Sequence, residues 1–209
     1  MLTKNINFEN FKLNKNNKNN KKIKIDLNIV LNENNEVLRS LSKNYKNSYT
    51  KKTISKFKKY YHVRVIGMGG SILGAESIYD FLKHKIKKNF DFINNLQSKI
   101  KPYNKKKNYI NLVVSKSGNT LETIANSNVI IKNKDNNIFV TEKKDNYLYL
   151  LAGKLKAEIV HHNNFIGGRY SVLSEVGMLP AELMGLDISK FKQLNNLIKN
   201  KRYINELIK

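Results

Sequence analysis

The chain contains no cysteine, which excludes a disulfide framework and any zinc site built on thiolates. A reducing compartment is compatible with that absence. No apolar run approaches the length of a membrane span, and residues 1–20 lack the apolar core of a secretory signal. The expectation is a soluble, cytoplasmic protein with no membrane partner. Acidic residues are also scarce: 16 Asp and Glu stand against 39 Lys and Arg, a formal charge of +23. Such a field attracts nucleic acid or anionic substrates. The lysines, however, come with 33 asparagines, spread through every segment that reads as loop or surface. No basic stripe is interleaved with aromatics. A joint Lys and Asn bias is what A/T-rich codons produce without selection for a ligand. Charge alone decides nothing, and no specific nucleic-acid partner is expected.

What is present organises itself around residues 109–131. The apolar run from Tyr109 to Val114 stops at Ser115-Lys-Ser-Gly-Asn-Thr120, and Leu121, Ile124, Ala125 and Val129 then recur at helical spacing. A buried strand empties into a polar turn, and the turn opens a helix. Backbone N–H groups and the positive end of the helix dipole then converge on one point, which favours an anion. Ser115, Ser117 and Thr120 add hydroxyls, Lys116 adds a cation, and Gly118 permits a tight turn. Glu122 reads as the third-position partner of a capping box from Asn119.

A second unit of the same kind lies upstream. Residues 62–66 read as a strand, Gly67-Met-Gly-Gly-Ser71 as a turn, and Ile78, Phe81, Leu82 and Ile86 mark a helix. Ser71 can cap that helix or donate to a ligand, although a tight turn without a ligand would look the same. A dinucleotide fingerprint would need its third glycine at Ile72 and an acid about 20 residues on, and neither is present.

Downstream, residues 138–141 and 157–160 read as strands and Leu148, Leu151 and Leu155 as a helix face. Strands alternating with helices indicate α/β architecture: a parallel sheet flanked by helices on both faces. Its ligands sit outside the carboxyl ends of the strands. After the last strand, Arg169 follows Gly167 and Gly168 and precedes a helix over 172–184. A guanidinium there suits a carboxylate, a phosphate or an enediolate, or else a structural ion pair. His161 and His162 point to opposite faces of a strand and have no third ligand, so one buried and one exposed imidazole is expected rather than a metal site.

The flanks carry less. Residues 1–22 read as a solvated Lys/Asn arm, 23–32 as a strand from their alternation, 33–45 as a helix and 51–60 as a weaker one. Residues 89–108 read as a polar connection with a short helix over 92–100. The domain reading is a basic extension over 1–60 holding a short strand and helices, a sheet domain over 61–185, and a helical tail over 186–209 that begins an inter-domain segment. The tail's apolar pattern is still running at the last residues, which implies a continuation or a partner.

Gly67-Met-Gly-Gly-Ser71, Ser115-Lys-Ser-Gly-Asn-Thr-Leu-Glu-Thr123 and Gly167-Gly-Arg-Tyr-Ser-Val-Leu-Ser174, with Gly177 behind the last, together resemble the first sugar isomerase (SIS) domain of the glucose-6-phosphate isomerase family. The resemblance covers residues 60–185. The first two motifs would mark only a phosphosugar-binding SIS domain; the third narrows it. Glu175 departs from the small residue or proline usual there. The resemblance implies a flavodoxin-type doubly wound fold and interconversion of glucose 6-phosphate and fructose 6-phosphate through a cis-enediol, without cofactor or metal, in glycolysis and gluconeogenesis. It places the sugar phosphate on Ser115, Lys116, Ser117, Gly118 and Thr120, the sugar hydroxyls or phosphate near Gly70 and Ser71, and Arg169 over C1–C2 as stabiliser of the enediolate. The family's base, ring-opening histidine and late lysine all follow the Gly-Gly-Arg motif. Here 32 residues follow Gly177, with Glu182 and Glu206 but no histidine. The expectation is therefore an amino-terminal portion with little or no turnover, drawn from a full-length homodimer. A non-catalytic phosphosugar sensor and an isomerase of another epimeric preference are the alternatives.

Overall fold

Five short strands, each ending where a polar or glycine-rich turn begins, build one all-parallel sheet. In the computed structural model, which describes residues 19–96, 108–193 and 200–208, these are β1 His62–Gly67, β2 Asn89–Ile93, β3 Tyr109–Val114, β4 Asn137–Thr141 and β5 Glu158–His161. Their order across the sheet is β2-β1-β3-β4-β5, and every neighbouring pair is parallel. This is the flavodoxin-like order, with its switch point between β1 and β3. The chain leaves β1 through α4 (Leu73–Leu82) toward β2 on one side. It leaves β3 through α5 (Leu121–Ile130) toward β4 on the other. Diverging connections open a crevice at the carboxyl ends of those two strands.

Both faces of the sheet are covered, as expected for a doubly wound fold. On one face Ile66, Ile93, Val113 and Phe139 lie in register and pack against Ile124 and Ile130 of α5 and Leu148, Leu151 and Ala152 of α6 (Tyr147–Lys154). On the other, Tyr79 of α4 sets its ring 5.4 Å from Phe90 and 5.7 Å from Phe92. There α4 packs on α7 (Glu175–Leu183), which in turn packs on α3 (Lys51–Phe57). The chain divides into two compact units, Lys46–Ile188 and a second made of Met1–Tyr45 with Ser189–Lys209. The sheet and all three motifs belong to the first.

Several expectations are corrected. Residues 23–32 are not a strand: α1 spans Asn19–Asn32. A strand needs a neighbour for its backbone groups, and among the described residues this unit contains no strand. A helix satisfies its backbone internally, and Ile23, Leu27, Val30 and Leu31 also fit helical spacing. The helix expected over 33–45 shrinks to α2, Glu36–Ser40, because Asn35 caps it, its Oδ1 accepting from Val37 N at 2.8 Å. The short helix expected over 92–100 is contradicted where it can be followed: Phe92 and Ile93 belong to β2 and residues 94–96 are not helical, while 97–100 lie outside the described residues. As an edge strand, β2 carries exposed Asn89 and Asp91 on either side of buried Phe90, which breaks up its apolar run. Of the solvated arm expected over 1–22, residues 19–22 belong to α1 and 1–18 lie outside the described residues. In the tail, Ile188–Gln193 is a 3-10 segment and Lys201–Ile208 a helix. Among the described residues no helix is long and apolar enough to cross a membrane.

The amino half of the sheet is fastened by a buried polar row. Arg64 donates to Asn111 Oδ1 (3.3 Å), and Asn111 Nδ2 donates to Asn137 Oδ1 (2.8 Å). Asp135 accepts from Tyr109 OH at 2.6 Å. Burial lowers the Arg64 pKa despite the nearby Asp135 and Asp91. This row lies toward the ends of the strands remote from the crevice.

Candidate functional site

The two polar turns named from the sequence emerge side by side, because Gly67 at the end of β1 pairs with Val114 at the end of β3. After β3 the chain is still tied to β4, Ser115 N donating to Val140 O at 3.0 Å. It then closes on itself. Ser115 Oγ and Thr120 Oγ1 are 2.9 Å apart, Gly118 N donates to Ser115 O at 3.2 Å, and Asn119 N donates to Ser117 Oγ at 3.3 Å. Gly118 has φ +68°, the left-handed region that glycine enters without a Cβ penalty.

The hydroxyl protons can be counted. Ser115 and Thr120 use one between them and keep one, and Ser117, which accepts from Asn119, keeps its own. Two O–H donors therefore remain beside the first turn of α5, whose N–H groups have no acceptor within the helix. The N-cap Thr120 makes no side-chain cap bond. The capping box expected from Asn119 to Glu122 is absent, since Asn119 Oδ1 accepts from Tyr147 N at 2.9 Å instead.

Lys116 is placed differently from a simple anion ligand. Its ammonium donates to Asn164 O at 2.7 Å and lies 3.4 Å from Glu142 Oε1, so it ties the turn to the segments following β4 and β5. Lys144 approaches the other Glu142 oxygen at 2.5 Å. Burial alone would raise the Glu142 pKa, but the two ammonium groups outweigh it and hold the carboxyl below its usual range.

The turn after β1 is a 3-10 segment, Gly69–Ser71. Ser71 does not cap α4, whose N-cap is Ile72 without a side-chain bond. Instead this turn meets the third motif backbone to backbone: a Cβ at Gly70 would lie 2.2 Å from Gly168 O. Ser171 Oγ donates to Gly168 O at 2.7 Å. Val172 fills the space left by two more glycines, a Cβ at Gly74 falling 2.7 Å from its Cγ2 and one at Gly177 falling 2.1 Å from its carbonyl oxygen. Gly70 and Gly74 thus let the arginine loop close on the turn of β1 and the start of α4, while Gly177 makes room for the Val172 carbonyl at the start of α7. Arg169 itself sits in a 3-10 segment, Gly168–Tyr170, exposed beside exposed Tyr170. Among the described residues no ion pair involves it.

Behind this loop His162 is buried and His161 half-buried. Among the described residues no group of three or more potential ligands could hold a metal. Glu175, read from sequence only as a departure, is fully buried, accepts from Asn163 N at 2.6 Å and lies 3.8 Å from His162 Nδ1. It anchors the start of the arginine loop. Burial pushes His162 below the ordinary imidazole pKa, although the Asn163 carbonyl and Glu175 work the other way. The unfolded chain takes up this proton near pH 6.5, the folded chain only at lower pH. Between the two values the unfolded state binds more protons. Stability is then full above about pH 6.5 and declines below it, by at most about 1.4 kcal/mol per pH unit. Urea midpoints measured from pH 7.5 down to pH 5 should show this decline, and His162→Leu should flatten it. An unchanged slope in the variant would assign it elsewhere.

A model of the phosphoglucose isomerase family matches residues 7–205. The chain belongs to that family. Among its relatives, the glucose-6-phosphate isomerase of Acholeplasma laidlawii is 36% identical over 169 residues, covering 67% of this chain and 40% of that protein. The glucose-6-phosphate isomerase of Methanocaldococcus jannaschii is 34% identical over 179 residues, covering 71% of this chain and 42% of that protein. A crystal structure of a hypothetical protein from Thermus thermophilus shares the fold with a TM-score of 0.68 at 20% identity, over 90% of this chain and 49% of that one. The chain thus spans about two fifths of the length of these curated relatives. Within the phosphoglucose isomerase fold, Asn146 is a residue near the motifs that motif reading passed over, and Glu175 stands out in the sequence only as a departure, not as an anchor. A buried asparagine or glutamate differs from an exposed one only in its neighbours.

Proposed function

We propose that this chain forms the phosphate-holding and electrophilic part of a glucose-6-phosphate isomerase, acting on glucose 6-phosphate and fructose 6-phosphate through a cis-enediol. The observation that carries the reading is the convergence of three motifs at the β1/β3 switch point, with Gly70 backed against Gly168. In this reading Ser117 and whichever of the paired Ser115 and Thr120 keeps its proton donate to the sugar phosphate, together with the N-terminus of α5. Gly118 shapes the turn, and Lys116 contributes its positive field while tied to Asn164 and Glu142. Gly70 and Ser71 face the sugar hydroxyls. Arg169 stabilises the charge that builds on the C1–C2 oxygens, an interaction strongest in the transition state.

Proton transfer at C1–C2 needs a base within hydrogen-bond reach. Glu142 is held by two lysines and Glu175 is buried beneath Asn163, so neither serves. Turnover by the 209-residue chain alone is expected to be negligible. The same reading takes the whole protein as a cytoplasmic homodimer with no specific nucleic-acid partner.

Isothermal titration with fructose 6-phosphate and 6-phosphogluconate tests the binding half. Measurable affinity is expected, weakened at least tenfold (about 1.4 kcal/mol) in a Ser115→Ala, Thr120→Ala double variant. No heat at millimolar ligand would sink the proposal.

A further inference from the structure

The anion turn is not self-supporting. Its outer side rests on the first turn of α6, which follows β4 rather than β3. Leu148 N donates to Gly118 O at 3.1 Å and Tyr147 N donates to Asn119 Oδ1 at 2.9 Å. The helix cap beneath them is Asn146, 4% exposed. Its Oδ1 accepts from Tyr149 N at 2.9 Å, and its Nδ2 donates to Lys144 O at 3.0 Å and lies 3.4 Å from Glu142 O. The same Oδ1 occupies the space where a side chain at residue 118 would begin, 1.8 Å from an ideal Cβ. Thr141 Oγ1 lies within reach of both Lys116 O (3.3 Å) and Asn146 Oδ1 (3.4 Å), joining the cap to the second residue of the turn.

We infer that Asn146 is a positioning residue for phosphate recognition. Its amide caps α6, aims the Tyr147 and Leu148 N–H groups at the turn, and fills the floor under Gly118, so that the Ser117 and Thr120 hydroxyls and the α5 N-terminus point at one anion. The inference deepens the phosphate reading above and rests on it. The physical basis is preorganisation. A six-residue polar turn has many conformations in which its donors diverge, and a donor set already converged binds without the entropic cost of ordering it. Burial of the asparagine matters as well, because a site shielded from water needs protein partners for its amide, and Tyr149 N, Lys144 O and Glu142 O supply them. The single Thr141 hydroxyl proton is shared between Asn146 Oδ1 and Lys116 O.

Two variants of the full chain separate positioning from helix capping. Asn146→Ala removes both. Asn146→Ser is a good N-cap and adds no charge, but it is too short to floor Gly118 or to reach the Lys144 carbonyl. Affinities for inorganic phosphate and for fructose 6-phosphate are measured at a temperature where every variant is more than nine-tenths folded. There, lost stability alone leaves Kd unchanged. Both variants are expected to bind about tenfold more weakly than the wild type, with Asn146→Ser retaining a near-native melting temperature and a displaced Gly118 amide resonance. If Asn146→Ala fails to fold, Asn146→Ser carries the test. Wild-type affinity in a folded Asn146→Ser chain overturns the positioning role while leaving the phosphate site standing. Absence of binding by the wild type overturns the phosphate reading, and this inference with it.

Discussion

Replacing Gly70 with alanine is expected to cost about 3 kcal/mol of stability and to remove phosphosugar binding. The added Cβ would stand 2.2 Å from Gly168 O and 2.3 Å from its carbonyl carbon. Both are backbone atoms, so no rotamer change relieves the overlap; the two loops must separate. Separation moves Arg169 and Ser71 away from each other and breaks the convergence on which the proposed site depends. Gly69 is the internal control. It has φ +52° but open space where its Cβ would be, so Gly69→Ala should cost only the left-handed penalty of about 1–2 kcal/mol. Urea denaturation of the two variants, with ligand titration of each, measures both effects. Because Gly70, unlike Gly69, lies outside the left-handed region, equal losses would mean that contact with the arginine loop is not what position 70 requires.

Phe139→Ala is expected to destabilise the sheet unit by about 3–5 kcal/mol. Phe139 is fully buried at the centre of β4, in register with Val113 of β3 and Ile159 of β5. It packs in the cluster with Leu148 and Ala152 beneath α6. Removing the ring leaves a cavity that strands on both sides prevent from collapsing. Against a total stability of about 5–15 kcal/mol for a domain, a large part of the folded population is at stake. A shift in the urea midpoint equivalent to less than about 1 kcal/mol would show that this cluster is not the centre of the core. The variant also tests the floor of the site indirectly, because α6 carries the Asn146 cap.

Much of this was legible in one dimension. Tyr109 to Val114 and His62 to Ile66 are largely apolar runs of the kind a doubly covered parallel strand buries, and each is followed by residues suited to a turn. Asn89–Ile93 was hidden because an edge strand exposes part of itself to water, and Asn89 and Asp91 interrupt the apolar signal. Residues 23–32 fit a strand through the apolar–polar alternation from Ile23 to Ile29 and a helix through Ile23, Leu27, Val30 and Leu31, and the choice depends on whether another strand lies alongside. Lys116 shows the same limit at the site. Its identity promised a cation for the anion turn, but Glu142 and Asn164, which come from other connections, determine where the ammonium rests.

The sequence by itself determined the parallel α/β class, the strand-turn-helix units at β1 and β3, and the polar and glycine composition of both turns. These follow from local rules, since periodicity, turn chemistry and motif spacing operate over a few residues to a few tens. Tertiary structure alone decided the order β2-β1-β3-β4-β5, the contact of Gly70 with Gly168, the tether of Lys116 and the support of the anion turn by Asn146. Each of these joins segments separated by intervening elements. Their energies come from packing and from hydrogen bonds shielded from water, neither of which exists until the chain has closed on itself.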